Sequence, residues 1–238
     1  MEGCNDMSIK KNIECINGLK EESARKIGKK PEDVLLVAVT KTYGFERINE
    51  AIDAGIKDIG ENKVQDILDK YENVKPVKWH MIGHLQTNKV KYIIDKVSMI
   101  HSVDSLKLAE EIDKRAAQKG IVMDILLQVN PAMEESKFGI SSEKTGELLR
   151  TILETCPNVR VCGLMSIVPY DENPENVRKY FALVKNTYDK FKNIEHNRME
   201  FKYLSMGMSH DFQTAIEEGA NLIRVGTAIF GNRDYSKQ

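Results

Sequence analysis

Eight short apolar runs, each followed by a stretch with helical character, limit what this chain can fold into. The first run, residues 34–39, is apolar at every position, and such a run without alternation marks a strand buried on both faces, as in a parallel sheet. Further strands are expected at 56–60, 77–83, 97–103, 121–129, 159–167, 203–206 and 222–225. Between them lie helical segments. One carries Ile48, Ala51 and Ile52 and stops at Gly55, and others cover 62–71 and 88–95. Asp104 or Ser105 caps a helix that presents Leu108, Ala109, Ile112 and Ala116 on one face and ends at Gly120. Residues 142–155 form the next, stopped by Pro157; Asn173-Pro174 opens a long one, and Asp211 caps a short one that ends at Gly219. A leading helix over 8–29 precedes the first strand.

Strand ends recur at equal intervals, at Lys41, Asn62, Gly83 and Asp104. About eight strand-helix units in 238 residues predict a (β/α)8 barrel with an extra N-terminal helix. A doubly wound open sheet also alternates, but usually carries a Gly-rich turn after its first strand. Here that turn is Lys41-Thr42-Tyr43-Gly44. No linker or low-complexity tract interrupts the pattern, so residues 1–238 read as one domain.

Lys+Arg 35 against Asp+Glu 36 leaves no basic footprint for nucleic acid. No apolar run approaches the length of a membrane span, and no secretory leader is visible at the start. Cys4, Cys15, Cys156 and Cys162 form no CxxC pair and read as reduced thiols, which points to the cytoplasm.

In a parallel barrel the carboxyl ends of the strands converge on one face, so polar residues there become neighbours. They are Lys41, Glu61, Asn62, His80, His84, Asp104, Asn130, Ser166, Ser205, Ser209, Arg224 and Thr227. Any one of them could simply cap the following helix, Asp104 and Asn62 above all. Lys41 could leave the core for solvent, or, desolvated, serve as a nucleophile toward a carbonyl. The segments 205–211 (SMGMSHD) and 225–231 (VGTAIFG) follow the last two strands. Their glycines, exposed N–H groups and hydroxyls suit phosphate oxygens, and barrels often place a phosphate site there. His80 and His84 have the i, i+4 spacing of a helical metal pair but fall at a strand end, where that spacing has no special geometry, so no metal is expected. A lysine and a phosphate cradle on one rim fit either a Schiff-base aldolase acting on a phosphosugar or a site for pyridoxal phosphate. Arg224 favours the second, because a guanidinium aimed at a pyridine nitrogen donates a hydrogen bond without giving up its proton.

Ala38-Val39-Thr40-Lys41-Thr42, Gly60-Glu61-Asn62, the stretch 79–89 (WHMIGHLQTNK), 134–139 (EESKFG), Gly163-Leu164-Met165, 204–209 (LSMGMS) and 224–231 (RVGTAIFG) together resemble the pyridoxal-phosphate homeostasis proteins, which are similar to the barrel domain of alanine racemase. The resemblance implies a single fold-type III barrel that holds pyridoxal 5'-phosphate as a Schiff base on Lys41. It implies a phosphate cradle at Ser209, Gly226 and Thr227, a pyridine contact from Arg224, and further cofactor contacts at Asn62, Ile82, Gly83 and Ser205. Gly44, Lys63 and His210 depart from the residues common at those positions. The implied role is in intracellular homeostasis of vitamin B6 and amino acids, with apo-enzymes as recipients of the cofactor, and the protein is expected to be a cytoplasmic monomer without robust turnover. The alternative is an amino-acid racemase, which needs bases on both faces of the cofactor. No second-face base is secure among Tyr43, His84 and His210, and the sequence stops soon after the last strand, leaving no room for the β domain of alanine racemase.

Overall fold

The computed structural model describes residues 8–134 and 137–231. Helix α1 (Ile9–Lys26) is capped by the Ser8 hydroxyl, which accepts from the Lys11 N–H, and buries Ile9, Ile13 and Ile16. The elements that follow are β1 (Leu35–Val39), α2 (Phe45–Asp53), β2 (Asp58–Glu61), α3 (Val64–Lys70), β3 (Lys78–Met81), β4 (Met99–Val103) and α4 (Leu106–Lys119). Then come β5 (Met123–Val129), α5 (Thr145–Thr155), β6 (Val159–Ser166), α6 (Arg178–Phe191), β7 (Met199–Ser205), α7 (Phe212–Glu217), β8 (Leu222–Val225) and α8 (Thr227–Phe230). The eight strands pair in sequence order, all parallel, and β1 pairs with β8 from Leu35↔Leu222 to Ala38↔Val225. The sheet therefore closes into the (β/α)8 barrel that the alternation predicts.

The main apolar core lies between the barrel and its helices, where Ile48, Ile59, Ile100, Ile112, Phe181 and Phe212 are fully buried. Burial of each such side chain contributes about 1.5–3 kcal/mol. A second, smaller cluster of Met99, Leu126, Cys162 and Met165 is separated from it by the sheet and fills part of the barrel interior. Met99 and His101 share a strand face, so buried polar side chains share that space with apolar ones.

Several elements differ from the sequence reading. The helix expected at 88–95 is a 3-10 helix, Thr87–Tyr92; Val90 and Ile93 are both buried, and three residues per turn brings them to one side. The long helix opened by Asn173-Pro174 begins with a 3-10 turn, Pro174–Val177, and turns α-helical only at Arg178. Strand β7 starts at Met199, not at 203, because Glu200 and Lys202 alternate outward. Asp211 precedes α7, yet its side chain caps no helix; Oδ1 accepts from the Met208 N–H at 2.6 Å and ties down the preceding loop. Helix α8 is one turn long, and α1 packs against α7, α8 and α2, so the N-terminal helix fills the position in the outer ring that α8 is too short to cover. Asn12 Nδ2 donates to the Ile229 carbonyl at 2.9 Å within that contact. Cys156 and Cys162 are free and buried, but Cys15 is in a disulfide, so the expectation of reduced thiols fails there; Cys4 lies outside the described residues.

Candidate functional site

Two cavities meet at the carboxyl end of the barrel. The first, about 180 Å3, is lined by Val39, Lys41, Tyr43, Met208, Ser209, His210, Arg224, Gly226 and Thr227. The second, about 360 Å3, shares Val39, Lys41, Met208 and Arg224 and extends over Asn62, Ile82, Gly83 and His84 to Gln128, Lys137 and Phe138. The proposed contacts Lys41, Asn62, Ile82, Gly83, Ser209, Arg224, Gly226 and Thr227 are thus brought together. Ser205 stands behind Arg224 and lines neither cavity.

Lys41 follows β1 and is half-buried. Its backbone is fixed on both sides. Before it, Lys70 donates to the Thr40 carbonyl (3.2 Å) and to Glu61 Oε1 (2.7 Å), and the Thr40 hydroxyl also donates to Glu61 Oε1 (2.7 Å). Glu61 is fully buried, and burial raises its carboxyl above the usual range against the pull of Lys70 and Thr40. After it, Thr42 has φ 72, a conformation that a β-branched residue rarely holds.

Across the first cavity, the backbone N–H groups of Gly226 and Ala228 converge on Ser209 Oγ at 3.2 and 3.3 Å. Two main-chain donors aimed at one oxygen suit an anionic oxygen, and the Ser209 hydroxyl is itself a donor to one. A side chain at position 226 would put its Cβ 3.2 Å from the Val39 Cβ and carbonyl, a tight contact that glycine avoids.

Arg224, in β8, is 3% exposed, and it donates from Nη1 to Ser205 Oγ (2.6 Å) and from Nη2 to the Ser166 carbonyl (2.8 Å). Burial lowers its pKa to about 10, with Asp211 acting against the shift, so it stays charged at neutral pH. Lys41, Lys137 and Arg224 give the two cavities a cationic lining, and no carboxylate among the described residues lines either one. On the opposite rim, a Cβ at Gly83 would fall 2.3 Å from the Asn62 carbonyl oxygen, so the glycine lets the loops after β2 and β3 touch.

A lysine amine, a cradle of N–H groups and a buried guanidinium on one cavity make a donor set that fits an aromatic aldehyde bearing a phosphate and a ring nitrogen.

The alanine racemase N-terminal domain family matches residues 21–234 of this chain. The pyridoxal phosphate homeostasis protein of Aquifex aeolicus is 47% identical over 217 residues, which are 90% of this chain and 94% of that protein. The chain belongs to this family. The solved structure of PipY from Synechococcus elongatus, with pyridoxal phosphate bound, superposes with a TM-score of 0.76 at 31% identity over 90% of this chain and all of that one. Alanine racemase from Corynebacterium glutamicum shares the fold, with a TM-score of 0.69 at 12% identity over 93% of this chain and 62% of its own.

For this family member, the geometry also lines the cavities with residues to which the sequence reading gave no cofactor contact. Tyr43 lines the first cavity, stacks on Phe230 with ring centroids 4.6 Å apart, and donates to the Gly231 carbonyl (2.9 Å). Its place two residues after Lys41 was the available signal. His84 and Phe138 stack at 3.7 Å across the mouth of the second cavity, joining the loops after β3 and β5. His84 Nδ1 also lies 4.0 Å from Asp104 Oδ2. His80, by contrast, is buried in the barrel interior and does not join His84. No group of three or more metal-ligating side chains occurs among the described residues. Glu135 and Ser136 of the EESKFG stretch lie outside the described residues.

Proposed function

We propose that this chain binds pyridoxal 5'-phosphate and takes part in vitamin B6 homeostasis, as one monomeric cytoplasmic barrel that holds the cofactor on Lys41 and yields it to apo-enzymes. The observation that carries this reading is the single cavity shared by Lys41, Arg224 and the Ser209, Gly226 and Thr227 cradle. The name of the Aquifex relative and the pyridoxal phosphate bound to PipY support it. When bound, the cofactor supplies an aldehyde that an amine can capture and a ring that withdraws electrons. In this reading Lys41 supplies the amine, Ser209 and the N–H groups of the last loop take the phosphate, and Arg224 keeps its proton while donating toward the ring nitrogen. Asn62, Ile82 and Gly83 bound the far side, and Ser205 acts through Arg224. In the deciding experiment the purified protein is incubated with pyridoxal phosphate, reduced with borohydride and digested. The expected result is a reduced adduct on Lys41, and no adduct at all overturns the reading.

No robust turnover is expected. Tyr43 is engaged with Gly231, and His210 Nε2 is within hydrogen-bond distance of the Asp171 and Glu172 carbonyls (2.9 and 3.0 Å), so neither stands ready as an opposing base. A second reading, amino-acid racemase, draws on His84, which lines the second cavity with Asp104 beside it. Racemisation of alanine or serine by cofactor-loaded protein, on the order of 1 per second or faster and lost in His84→Ala, would establish that reading instead.

A further inference from the structure

A line of buried polar side chains crosses the barrel interior behind Arg224. Asp58 opens β2, His80 lies in β3, His101 in β4, Ser205 ends β7 and Arg224 lies in β8; all are at most 5% exposed. The successive contacts are Asp58 Oδ1 to His80 Nε2 (3.0 Å), His80 Nδ1 to His101 Nε2 (2.9 Å), His101 Nδ1 to Ser205 Oγ (3.3 Å) and Ser205 Oγ to Arg224 Nη1 (2.6 Å).

The direction of every bond follows from chemistry. A guanidinium has no acceptor, so Nη1 donates to Ser205 Oγ. The Ser205 proton then needs an acceptor, and among the described residues its other partner is His101 Nδ1. His101 is fully buried, and desolvation, followed by His80 and Arg224, holds its pKa well below the usual imidazole value, so the ring is neutral. With Nδ1 accepting, its proton sits on Nε2 and points at His80 Nδ1. That nitrogen accepts in turn, which puts the His80 proton on Nε2, facing the Asp58 carboxylate. All four bonds run one way, from cation to anion.

We propose that Asp58, His80, His101 and Ser205 form a one-way hydrogen-bond relay that holds the Arg224 guanidinium from the closed end of the barrel, which makes Asp58, at the far end of its strand from the cavity, a positioning residue for the ligand-facing arginine. A buried cation is costly without a counter-charge; Asp211 acts on Arg224 from a distance, and no carboxylate pairs with it directly among the described residues. Polarised hydrogen bonds in a dry interior reinforce one another and carry the influence of the carboxylate inward. Two of the five guanidinium N–H groups are spent on Ser205 and Ser166, and the residue lines both cavities. The relay thereby fixes which way the remaining donors face. Its effect on a ligand rests on the reading above, in which a pyridine nitrogen meets Arg224; its existence does not.

Side-chain 15N spectra of the unaltered, ligand-free protein test the relay itself. The expected result is that each of the two rings carries its single proton on Nε2, as the bond directions require. A doubly protonated His80, or a proton on His101 Nδ1, overturns the proposal. Pyridoxal phosphate affinity then tests the coupling to Arg224. Asp58→Asn is expected to weaken binding on the order of tenfold in the natural background and to have no further effect in Arg224→Met. An equal effect in both backgrounds, or none in either, overturns the positioning role. If the unaltered protein binds no pyridoxal phosphate, the functional reading falls, while the histidine tautomers still decide the relay. They decide it also if Asp58→Asn does not fold.

Discussion

Lys70 donates to the main-chain carbonyl of Thr40 at 3.2 Å, so a side chain from α3 braces the backbone one residue before Lys41. The same ammonium reaches Glu61 Oε1, on which the Thr40 hydroxyl also converges. Thr42, on the other side, pays about 1–3 kcal/mol for its left-handed backbone. The backbone on both sides of Lys41 is thus held by its neighbours.

Lys41→Ala is expected to abolish the borohydride-trapped adduct and leave the fold intact, since the residue follows β1 at the open face and its truncation opens no core cavity. Peptide mapping after reduction is the check. The rival amine is Lys137, which lines the second cavity with Glu134 at 3.1 Å; label on Lys137 in the unaltered protein would displace Lys41 from its role.

Arg224→Glu removes the donor to Ser205 Oγ and to the Ser166 carbonyl, both buried. Each group left without its partner costs about 1–3 kcal/mol, so the midpoint of urea unfolding should fall. The absorption band of bound pyridoxal phosphate should also shift, because a carboxylate facing the ring nitrogen favours its protonated form. An unchanged band would place Arg224 away from the ring.

Gly83→Ala places a Cβ 2.3 Å from the Asn62 carbonyl oxygen, a backbone atom that cannot swing aside. The loops after β2 and β3 must part, at a cost of about 1–3 kcal/mol. Cofactor retention should fall with stability, and thermal unfolding with and without pyridoxal phosphate reads both. A variant as stable as the unaltered protein would mean that the two loops yield without strain.

Glu61 gives a pH signature. Its folded carboxyl is raised above the usual value by burial, so the folded state holds the proton more readily than the unfolded chain does. Its contribution to stability is complete below the unfolded value, about pH 4.3, and is lost as the pH rises through the higher folded value. Urea midpoints of Glu61→Gln should lack this loss, so the unaltered protein should decline relative to the variant from about pH 4 upward. Parallel profiles would show that Lys70 and Thr40 fully offset the burial of the charge.

Much of this was legible in the sequence because the signals were local. Unbroken apolar runs such as Leu35–Val39 marked the strands, and residues at their carboxyl ends marked the rim. Strand β7 was read short because Glu200 and Lys202 face outward, whereas the other strands suggested continuous apolarity. The relay left no local trace. His80 stood out only for its spacing from His84, and His101 sits in Met99–Val103, where a single histidine looks like an ordinary core residue. Its meaning comes from neighbours on β3 and β7, and that proximity exists only after the barrel closes.

Closure has a consequence in time as well as in space. Lys41 follows the first strand, and the cradle is completed only after the eighth, which zips onto the first from Leu35↔Leu222 onward. A ribosome therefore releases Lys41 well before the loop that follows β8, whose helix α8 settles against α1 through Asn12 and Ile229. In the proposed reading, a nascent chain offers Lys41 before Gly226 and Thr227 are there to help hold a phosphate beside it. In the reading proposed above, selective capture begins only once the eighth strand has been made, and a chain that has not reached it does not compete with closed barrels for the cofactor.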